Sequence, residues 1–183
     1  MSRVQNLIIW LAHSIEKFSI YCGKLISWLT FLMVLVVFLI VIMRYGFSLG
    51  SIALQEAIIY LHGMVFLLAA GFTLQQDEHV RVDIFYNSMS HQRRAWVDLI
   101  GTLLFLFPFC IFLFSMSLEY VLSSWRINEG SGESGGLPGL YLLKSMILIM
   151  PVLMMLQGLA WILRCLLFLF FEDESPYISA KQL

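Results

Sequence analysis

Charged residues are scarce in this sequence, and that scarcity is the first property that limits what the protein can be. Asp, Glu, Lys and Arg make up 13% of its 183 residues, whereas hydrophobic residues make up 60%. A soluble globular domain carries about 25% charged residues. The composition therefore excludes a soluble enzyme, a nucleic-acid-binding protein and a disordered chain. The formal net charge of −1 gives no indication of an anionic partner.

Cysteine and buried ionisable residues are rare as well. The three cysteines, Cys22, Cys110 and Cys165, form no C-x-x-C pair and no even set, so disulfides and a zinc site are disfavoured. His62 is the only ionisable residue that lies well inside an apolar segment. A b-type haem with two histidine ligands needs a second one, so we expect no cofactor. A carrier with its own ion site needs buried carboxylates, which these segments lack.

Asp, Glu, Lys and Arg are absent from four windows of 19 or 20 residues each: 25–43, 57–76, 99–118 and 145–163. A bilayer core about 30 Å thick needs roughly 20 apolar residues at 1.5 Å rise each. The sequence therefore predicts an all-α membrane protein with four transmembrane helices. With their flanks, these helices are expected at residues 25–46, 54–76, 93–122 and 140–170.

A separate amphipathic segment, residues 5–23, precedes the first span. Its apolar and polar residues fall on opposite faces of a helix. The apolar set is Leu7, Ile8, Leu11, Ile15, Phe18 and Cys22, and the polar set is Asn6, His13, Glu16 and Lys17. The pattern favours a helix that lies in the cytoplasmic membrane interface, and a helix packed on the bundle is the alternative. A cleaved signal peptide is disfavoured because Glu16 and Lys17 interrupt the apolar region.

Lysine and arginine are divided unequally between the two sides of the predicted membrane. Eight lie before the first span, between spans two and three, or after the fourth, and three lie on the other side. The positive-inside rule therefore predicts that the N and C termini are cytoplasmic. Residues 77–92 then form a cytoplasmic loop and 123–139 a periplasmic one. Turn residues fill 130–139, which predicts a flexible loop. No internal repeat is visible, and 1–183 is expected to be a single domain.

Two charges frame the turn between the first two spans. Arg44 ends the first span and Glu56 opens the second. A carboxylate near a helix N-terminus is favoured by the helix dipole. We expect either an Arg44–Glu56 ion pair that closes this hairpin or two independent interface charges. Gln55, beside Glu56, is placed to bond the backbone of a partner protein.

Small residues and one amide interrupt the apolar spans. Gly63, Ala70 and Gly71 share one face of the second span, and such a face allows close helix approach. The approaching helix belongs either to this bundle or to a partner protein. Gln157 and Gly158 in the fourth span leave the same two possibilities.

The segment 77–98 is the most polar part of the chain. His79, Arg81 and Asp83 lie in it, but their spacing matches no recognised metal site. A salt-bridged cytoplasmic turn is the favoured interpretation. Arg93 and Arg94, at the start of the third helix, are expected to contact anionic phospholipid headgroups.

Together these features resemble the small membrane subunit of TRAP transporters, the Q-type or DctQ-like component of tripartite ATP-independent periplasmic transporters. The family pattern has an R-x-x-F after the first span, matched by Arg44 and Phe47. It has a glutamate that enters the second span, matched by Glu56. It also has an H-[IV]-R-V-D loop, matched from His79 to Asp83. One departure is visible at 52–54, where many members carry a tryptophan.

The resemblance implies a function for the chain. TRAP systems import organic acids with a sodium gradient and no ATP, and a periplasmic binding protein captures the substrate. A large membrane subunit holds the sodium and substrate sites and moves as an elevator, while the small subunit packs beside its scaffold domain. The resemblance therefore implies a multi-pass, non-enzymatic subunit of the bacterial inner membrane. It suggests a carboxylate-bearing substrate such as a keto acid or dicarboxylate.

Two other functions stay open at this point. One is the membrane anchor of a respiratory complex, and the other is a stand-alone small carrier. An enzyme is disfavoured, because no Ser/His, Cys/His or H-E-x-x-H arrangement appears. The expected partners are the large membrane subunit, the binding protein and membrane phospholipids, with no nucleic acid.

Overall fold

Residues 3–79, 86 and 88–171 are described by a computed structural model of the chain. Within them the regular structure is entirely helical. The elements in chain order are α1 (Arg3–Gly46), α2 (Ile52–Gln75), α3 (His91–Gly101), a π-helical turn called π1 (Thr102–Leu106), α4 (Phe107–Arg126) and α5 (Leu140–Phe171). Because α3, π1 and α4 follow one another without a break, they form one segment of 36 residues.

Four helical segments are long and apolar enough to cross a membrane, namely α1, α2, α3–π1–α4 and α5. The predicted all-α architecture with four transmembrane helices is therefore confirmed. Successive spans run in opposite directions, so the start of α1 and the end of α5 lie at the same end of the bundle, which we call the inner end. The outer end carries the connections 47–51 and 127–139. Helix α5 contacts every other helical element.

Helix α1 is a single helix of 44 residues, about 66 Å long at 1.5 Å per residue. The interfacial helix expected at 5–23 is not a separate element in the structure. Residues 5–23 and the first span form one continuous helix, which no proline interrupts. The buried residues of α1 recur every three or four positions: Ala12, Glu16, Ser19, Gly23 and Ile26. This stripe faces the bundle, so the N-terminal half of α1 packs on the other helices.

Helices α2 and α5 approach each other closely at two glycines. A Cβ added to Gly71 would lie 3.1 Å from the Cβ of Leu153, and one added to Gly63 would lie 3.0 Å from Cδ1 of Leu143. Both distances are shorter than ordinary van der Waals contact, so a side chain at either position would make its neighbour shift. Packing inside the bundle is therefore the role that the structure shows for Gly63 and Gly71.

The π1 turn lies directly before Pro108. A proline has no N–H, and its ring clashes with the carbonyl four residues earlier in a regular α-helix. In π1 the N–H of Phe107 bonds the carbonyl of Thr102, five residues back. We attribute the wider turn to Pro108, because it moves the crowded carbonyl away from the ring. Gly158 of α5 packs against this turn, since a Cβ there would lie 2.7 Å from Cδ2 of Leu106.

Candidate functional site

Glu56 fastens helix α2 to the loop 127–139 at the outer end of the bundle. Its Oε2 accepts a hydrogen bond of 2.6 Å from the backbone N–H of Leu137, and its Oε1 accepts one from the hydroxyl of Ser131. Gly136 lies against the same carboxylate, because a Cβ there would be 2.7 Å from Oε2 of Glu56. One carboxylate on α2 therefore joins the first hairpin of the bundle to the second. We call this arrangement the outer clamp.

The loop 127–139 is also bonded internally. The N–H of Ser131 donates to the carbonyl of Leu137 at 2.9 Å, and the N–H of Gly136 donates to the carbonyl of Glu133 at 3.1 Å. The N–H of Glu133 donates to the hydroxyl of Ser131 at 3.0 Å. The loop is thus held by several hydrogen bonds, and its flexibility stays a prediction. Glycine-rich composition indicates turns, but these turns are closed on one another and on Glu56.

A second tie joins the loop to the outer end of α5. Nζ of Lys144 lies 2.5 Å from Oε2 of Glu129 and 4.2 Å from the ring centre of Tyr120. The hydrogen bond from Lys144 lowers the pKa of Glu129 below its usual value. Nearby, the Trp125 indole donates to the hydroxyl of Ser145 at 2.8 Å. Both ends of the loop are thus bonded to helices.

Arg44 and Glu56 do not form the ion pair considered from the sequence. Within the described residues, the hydrogen bonds of the Glu56 carboxylate go to Ser131 and Leu137. Successive residues of a helix point about 100° apart, and it is Gln55 that lines the same 390 Å³ cavity as Arg44, at the turn 47–51. Phe47, the other residue of the R-x-x-F pattern, is exposed.

A buried polar contact joins the N-terminal half of α1 to α5. Glu16 forms an ion pair with Arg164, and their side chains are 7% and 15% exposed. The hydroxyl of Ser19 donates to Oε1 of Gln157 at 2.9 Å. Gln157 and Arg164 are seven residues apart, so both lie on one face of α5. We call these four residues the inner seam. Through Ser19, the seam gives Gln157 a hydrogen-bond partner within the same chain.

Gly23 extends this contact toward helix α2. A Cβ at Gly23 would lie 2.5 Å from Cγ of Phe72, so the aromatic ring rests directly on the backbone of α1. Real Cβ atoms essentially never come this close to a neighbour. Helix α1 is therefore held by α5 through polar bonds and by α2 through a close aromatic contact.

The inner seam was missed at the level of sequence. The amphipathic pattern of 5–23 places Glu16 on the polar face, and nothing in the sequence links it to Arg164. The available signal was the spacing of Ala12, Glu16, Ser19 and Gly23, which follows the three-four repeat of a packed helix face. Polar residues at such positions are buried only when a partner helix supplies matching groups, which no single helix reveals.

The predicted turn after α2 is only partly described. Arg81 and Asp83 lie outside the described residues, and His79 is half-buried just after α2. At the start of α3, Arg93 is exposed, and Nε of Arg94 donates to the carbonyl of Met89 at 3.1 Å. The Arg94 guanidinium also lies 5.3 Å from the ring centre of Tyr86. Both arginines are therefore at the inner end, where contact with headgroups is expected.

Neither a metal centre nor a haem site is apparent where the chain is described. No three His, Cys, Asp or Glu side chains come together there. His62 is exposed on the outside of α2, with no second histidine opposite. The polar groups of the outer clamp bond one another, and so do those of the inner seam at the other end of the bundle. What this arrangement can do chemically is join helices.

The comparisons with known proteins agree with the residues quoted above. Residues 33–168 match the family model described as tripartite ATP-independent periplasmic transporters, DctQ component. The outer clamp, Gln157 and Arg164 fall inside the matched range, whereas Glu16 and Ser19 precede it. No curated protein and no solved structure matches the chain. The resemblance seen in the sequence is therefore confirmed at the level of the family.

Proposed function

The chain belongs to the DctQ component family of tripartite ATP-independent periplasmic transporters, and we propose that it is the small scaffold subunit of such a transporter. In this role it supports the large membrane subunit during sodium-coupled, ATP-independent uptake of an organic acid that a periplasmic binding protein delivers. The family is a transporter component and not an enzyme family. Its four apolar helical segments make the chain a multi-pass membrane protein.

The observation that supports a scaffold is the use of polar groups to join helices. Glu56 bonds the loop between α4 and α5, and Glu16 bonds Arg164. These ties lie at opposite ends of the bundle and act on different helix pairs. A bundle held at both ends resists bending and sliding, since each movement breaks a hydrogen bond or an ion pair that joins separate parts of the chain. Such a body provides a fixed surface against which the large subunit moves.

Orientation and partners follow from the same proposal. The inner end carries the excess of lysine and arginine, so it is cytoplasmic, and the outer clamp is periplasmic. The binding protein approaches from that side and meets a preformed loop. The substrate carries a carboxylate, and its identity is set by the other two components. This arrangement requires that the chain lie in the bacterial inner membrane.

Reconstitution tests the proposal. Proteoliposomes that contain the large subunit, with or without this chain, receive binding protein, labelled organic acid and an inward sodium gradient without ATP. We expect uptake only when both membrane subunits are present. Undiminished uptake by the large subunit alone would contradict the scaffold role. Uptake by this chain alone would support a stand-alone carrier, and a haem absorbance band in the purified chain would support a respiratory anchor.

A further inference from the structure

A groove of 630 Å³ lies between α2, the segment α3–π1–α4 and α5, toward the inner end. Leu74 of α2 and Trp161 of α5 form two of its walls, and Val97, Phe105 and Phe109 line the third segment. Phe105 is 74% exposed and Phe109 is 58% exposed, so the groove opens to the outside of the bundle. In a membrane, that outside is hydrocarbon.

The polar groups of the groove are gathered at its inner end and bond each other. The hydroxyl of Tyr86 donates to Oδ2 of Asp98 at 2.7 Å, and the hydroxyl of Thr102 donates to the carbonyl of Asp98 at 2.7 Å. From this end onward the lining consists of apolar side chains and glycine. The greater part of the groove therefore suits an apolar occupant.

Gly101 gives the groove its depth. A Cβ added at Gly101 would have no atom within 4 Å, although the residue lines the groove. Gly158, which lines the groove from α5, differs because a Cβ there would clash with Leu106. Of Gly101 and Gly158, only Gly101 has free space beside it. A larger side chain at Gly101 would fill the groove without disturbing the packing of α5.

The length of the groove matches one leaflet of a bilayer. Asp98, Gly101, Phe105 and Phe109 recur every three or four residues, so they form a stripe along the helix. The eleven steps from Asp98 to Phe109, at the α-helical rise of 1.5 Å each, make it about 16 Å long. The hydrocarbon core is about 30 Å thick, so one leaflet is about 15 Å deep. A groove of this length runs from the inner interface to the centre of the membrane.

At the inner end of this stripe, two arginines, Arg93 and Arg94, stand near the single carboxylate of the groove lining, that of Asp98. Arg94 lies four residues before Asp98 on the same face, and its guanidinium is 5.3 Å from the ring of the groove residue Tyr86. Arg93 is exposed beside it. Basic residues at the membrane surface attract anionic lipid headgroups. The arginines at the inner end thus correspond to the position of a phospholipid headgroup, and the apolar groove beyond them corresponds to the position of its acyl chain.

We infer that this groove binds one acyl chain of an anionic phospholipid, with its phosphate beside Arg94. The occupant is a lipid of the inner leaflet, held at a fixed place on the subunit. Arg94 and Arg93 supply the charge, Gly101 the depth, and Trp161 with Phe105 the apolar walls. The inference is independent of the scaffold role, because it concerns a ligand of the chain itself.

Trp161 allows a direct test, since it lies in the wall of the groove. In the full chain, Trp10, Trp28, Trp96 and Trp125 are replaced by Phe, and the protein is placed in phosphatidylcholine vesicles. A small fraction of phosphatidylglycerol or of phosphatidylcholine carries bromine on its acyl chains, which quench tryptophan fluorescence on contact. We expect brominated phosphatidylglycerol to quench Trp161 with a roughly fivefold higher apparent association constant, the factor that one basic residue near the surface contributes.

Two variants separate this site from general contact with lipid. Gly101→Phe should fill the groove and abolish the preference, whereas Ile100→Phe adds the same ring on an exposed neighbouring position outside the lining and should preserve it. Arg94→Gln should reduce the preference. Equal quenching by both lipids, or a preference that survives Gly101→Phe, would overturn the inference. So would loss of lipid quenching when the large subunit is added, because a protein helix would then be the occupant.

Native mass spectrometry of the unmodified chain provides a measurement that does not depend on the tryptophan replacements. One phosphatidylglycerol molecule should remain bound to the wild-type chain and to Ile100→Phe after release from detergent. It should be absent from Gly101→Phe. Retention of the same lipid by all three proteins would contradict the groove as its site.

Discussion

Glu16 on α1 and Arg164 on α5 form an ion pair whose side chains are 7% and 15% exposed. Both residues are buried against the bundle, and the bond joins the first described helix of the chain to the last. A buried pair of this kind requires its two partners together, because a lone charge in a poorly hydrated site is costly. The relationship makes the position of α1 depend on two residues far apart in sequence.

The first prediction concerns this ion pair. Glu16→Gln removes the negative charge of this buried ion pair and should lower the free energy of unfolding by about 3 kcal/mol. The double variant Glu16→Leu, Arg164→Met replaces the pair with apolar groups and should recover most of the loss. Thermal unfolding in detergent, followed by helical circular dichroism, measures both. A double variant as unstable as Glu16→Gln would show that the ion pair is not the source of the effect.

Gly23 carries the second prediction. Gly23→Ala places a methyl group 2.5 Å from Cγ of Phe72 and should destabilise the bundle by about 1–3 kcal/mol through overpacking. Gly46→Ala is the matched control, since a Cβ at Gly46 has no atom within 4 Å. Adding Phe72→Leu to Gly23→Ala should restore part of the stability. Thermal unfolding in detergent measures the stability of each variant. Equal losses of stability in Gly23→Ala and Gly46→Ala would refute the close contact.

The third prediction concerns the outer clamp. Glu56→Ala removes both acceptors, so the amide of Leu137 should exchange its hydrogen faster than in the wild-type chain. Glu56→Gln keeps one acceptor oxygen and should have an intermediate effect. Gln55→Ala is the control, because Gln55 lies beside the clamp without taking part in it. Hydrogen exchange with mass spectrometry of peptides from 127–139 measures the effect, and unchanged exchange in Glu56→Ala would contradict the clamp.

The fourth prediction is a pH dependence at Glu129. Lys144 lowers the pKa of this carboxyl, so the ionised form is favoured in the folded state. The stabilisation is present above the ordinary pKa of about 4.5 and is lost as pH falls through the lowered value. Lys144→Met should raise the titration midpoint of Glu129 toward 4.5. Carbon NMR of the Glu129 carboxyl measures both midpoints; identical midpoints would exclude the effect of Lys144.

Charge distribution along the chain was sufficient to predict four membrane helices. Apolar windows of 19 or 20 residues reflect the thickness of the bilayer, which is a property of the solvent and needs no knowledge of tertiary contacts. The start of α1 was harder to predict, because an amphipathic face fits both the membrane interface and a neighbouring helix. The contacts of Glu16 and Ser19 with α5 resolve this ambiguity in favour of packing.

Pairings between distant residues were beyond the sequence. Glu56 was recognised as a distinctive residue, but its partners lie 75 and 81 positions away in a loop that composition alone made appear flexible. The nearest opposite charge, Arg44, was a reasonable candidate by distance along the chain. It was wrong because helical geometry turns Glu56 toward the loop and Gln55 toward Arg44.

One measurement tests most directly whether the subunit acts as a rigid scaffold. In a chain whose three native cysteines are replaced, Ser19→Cys and Gln157→Cys are joined by a short thiol crosslinker, which fixes α1 to α5 where their side chains already meet. Sodium-driven uptake is then measured with the large subunit and the binding protein. A static scaffold predicts that crosslinked and uncrosslinked proteins transport equally. Loss of uptake on crosslinking, restored by cleaving the crosslinker, would show that these helices move during transport and would contradict the account.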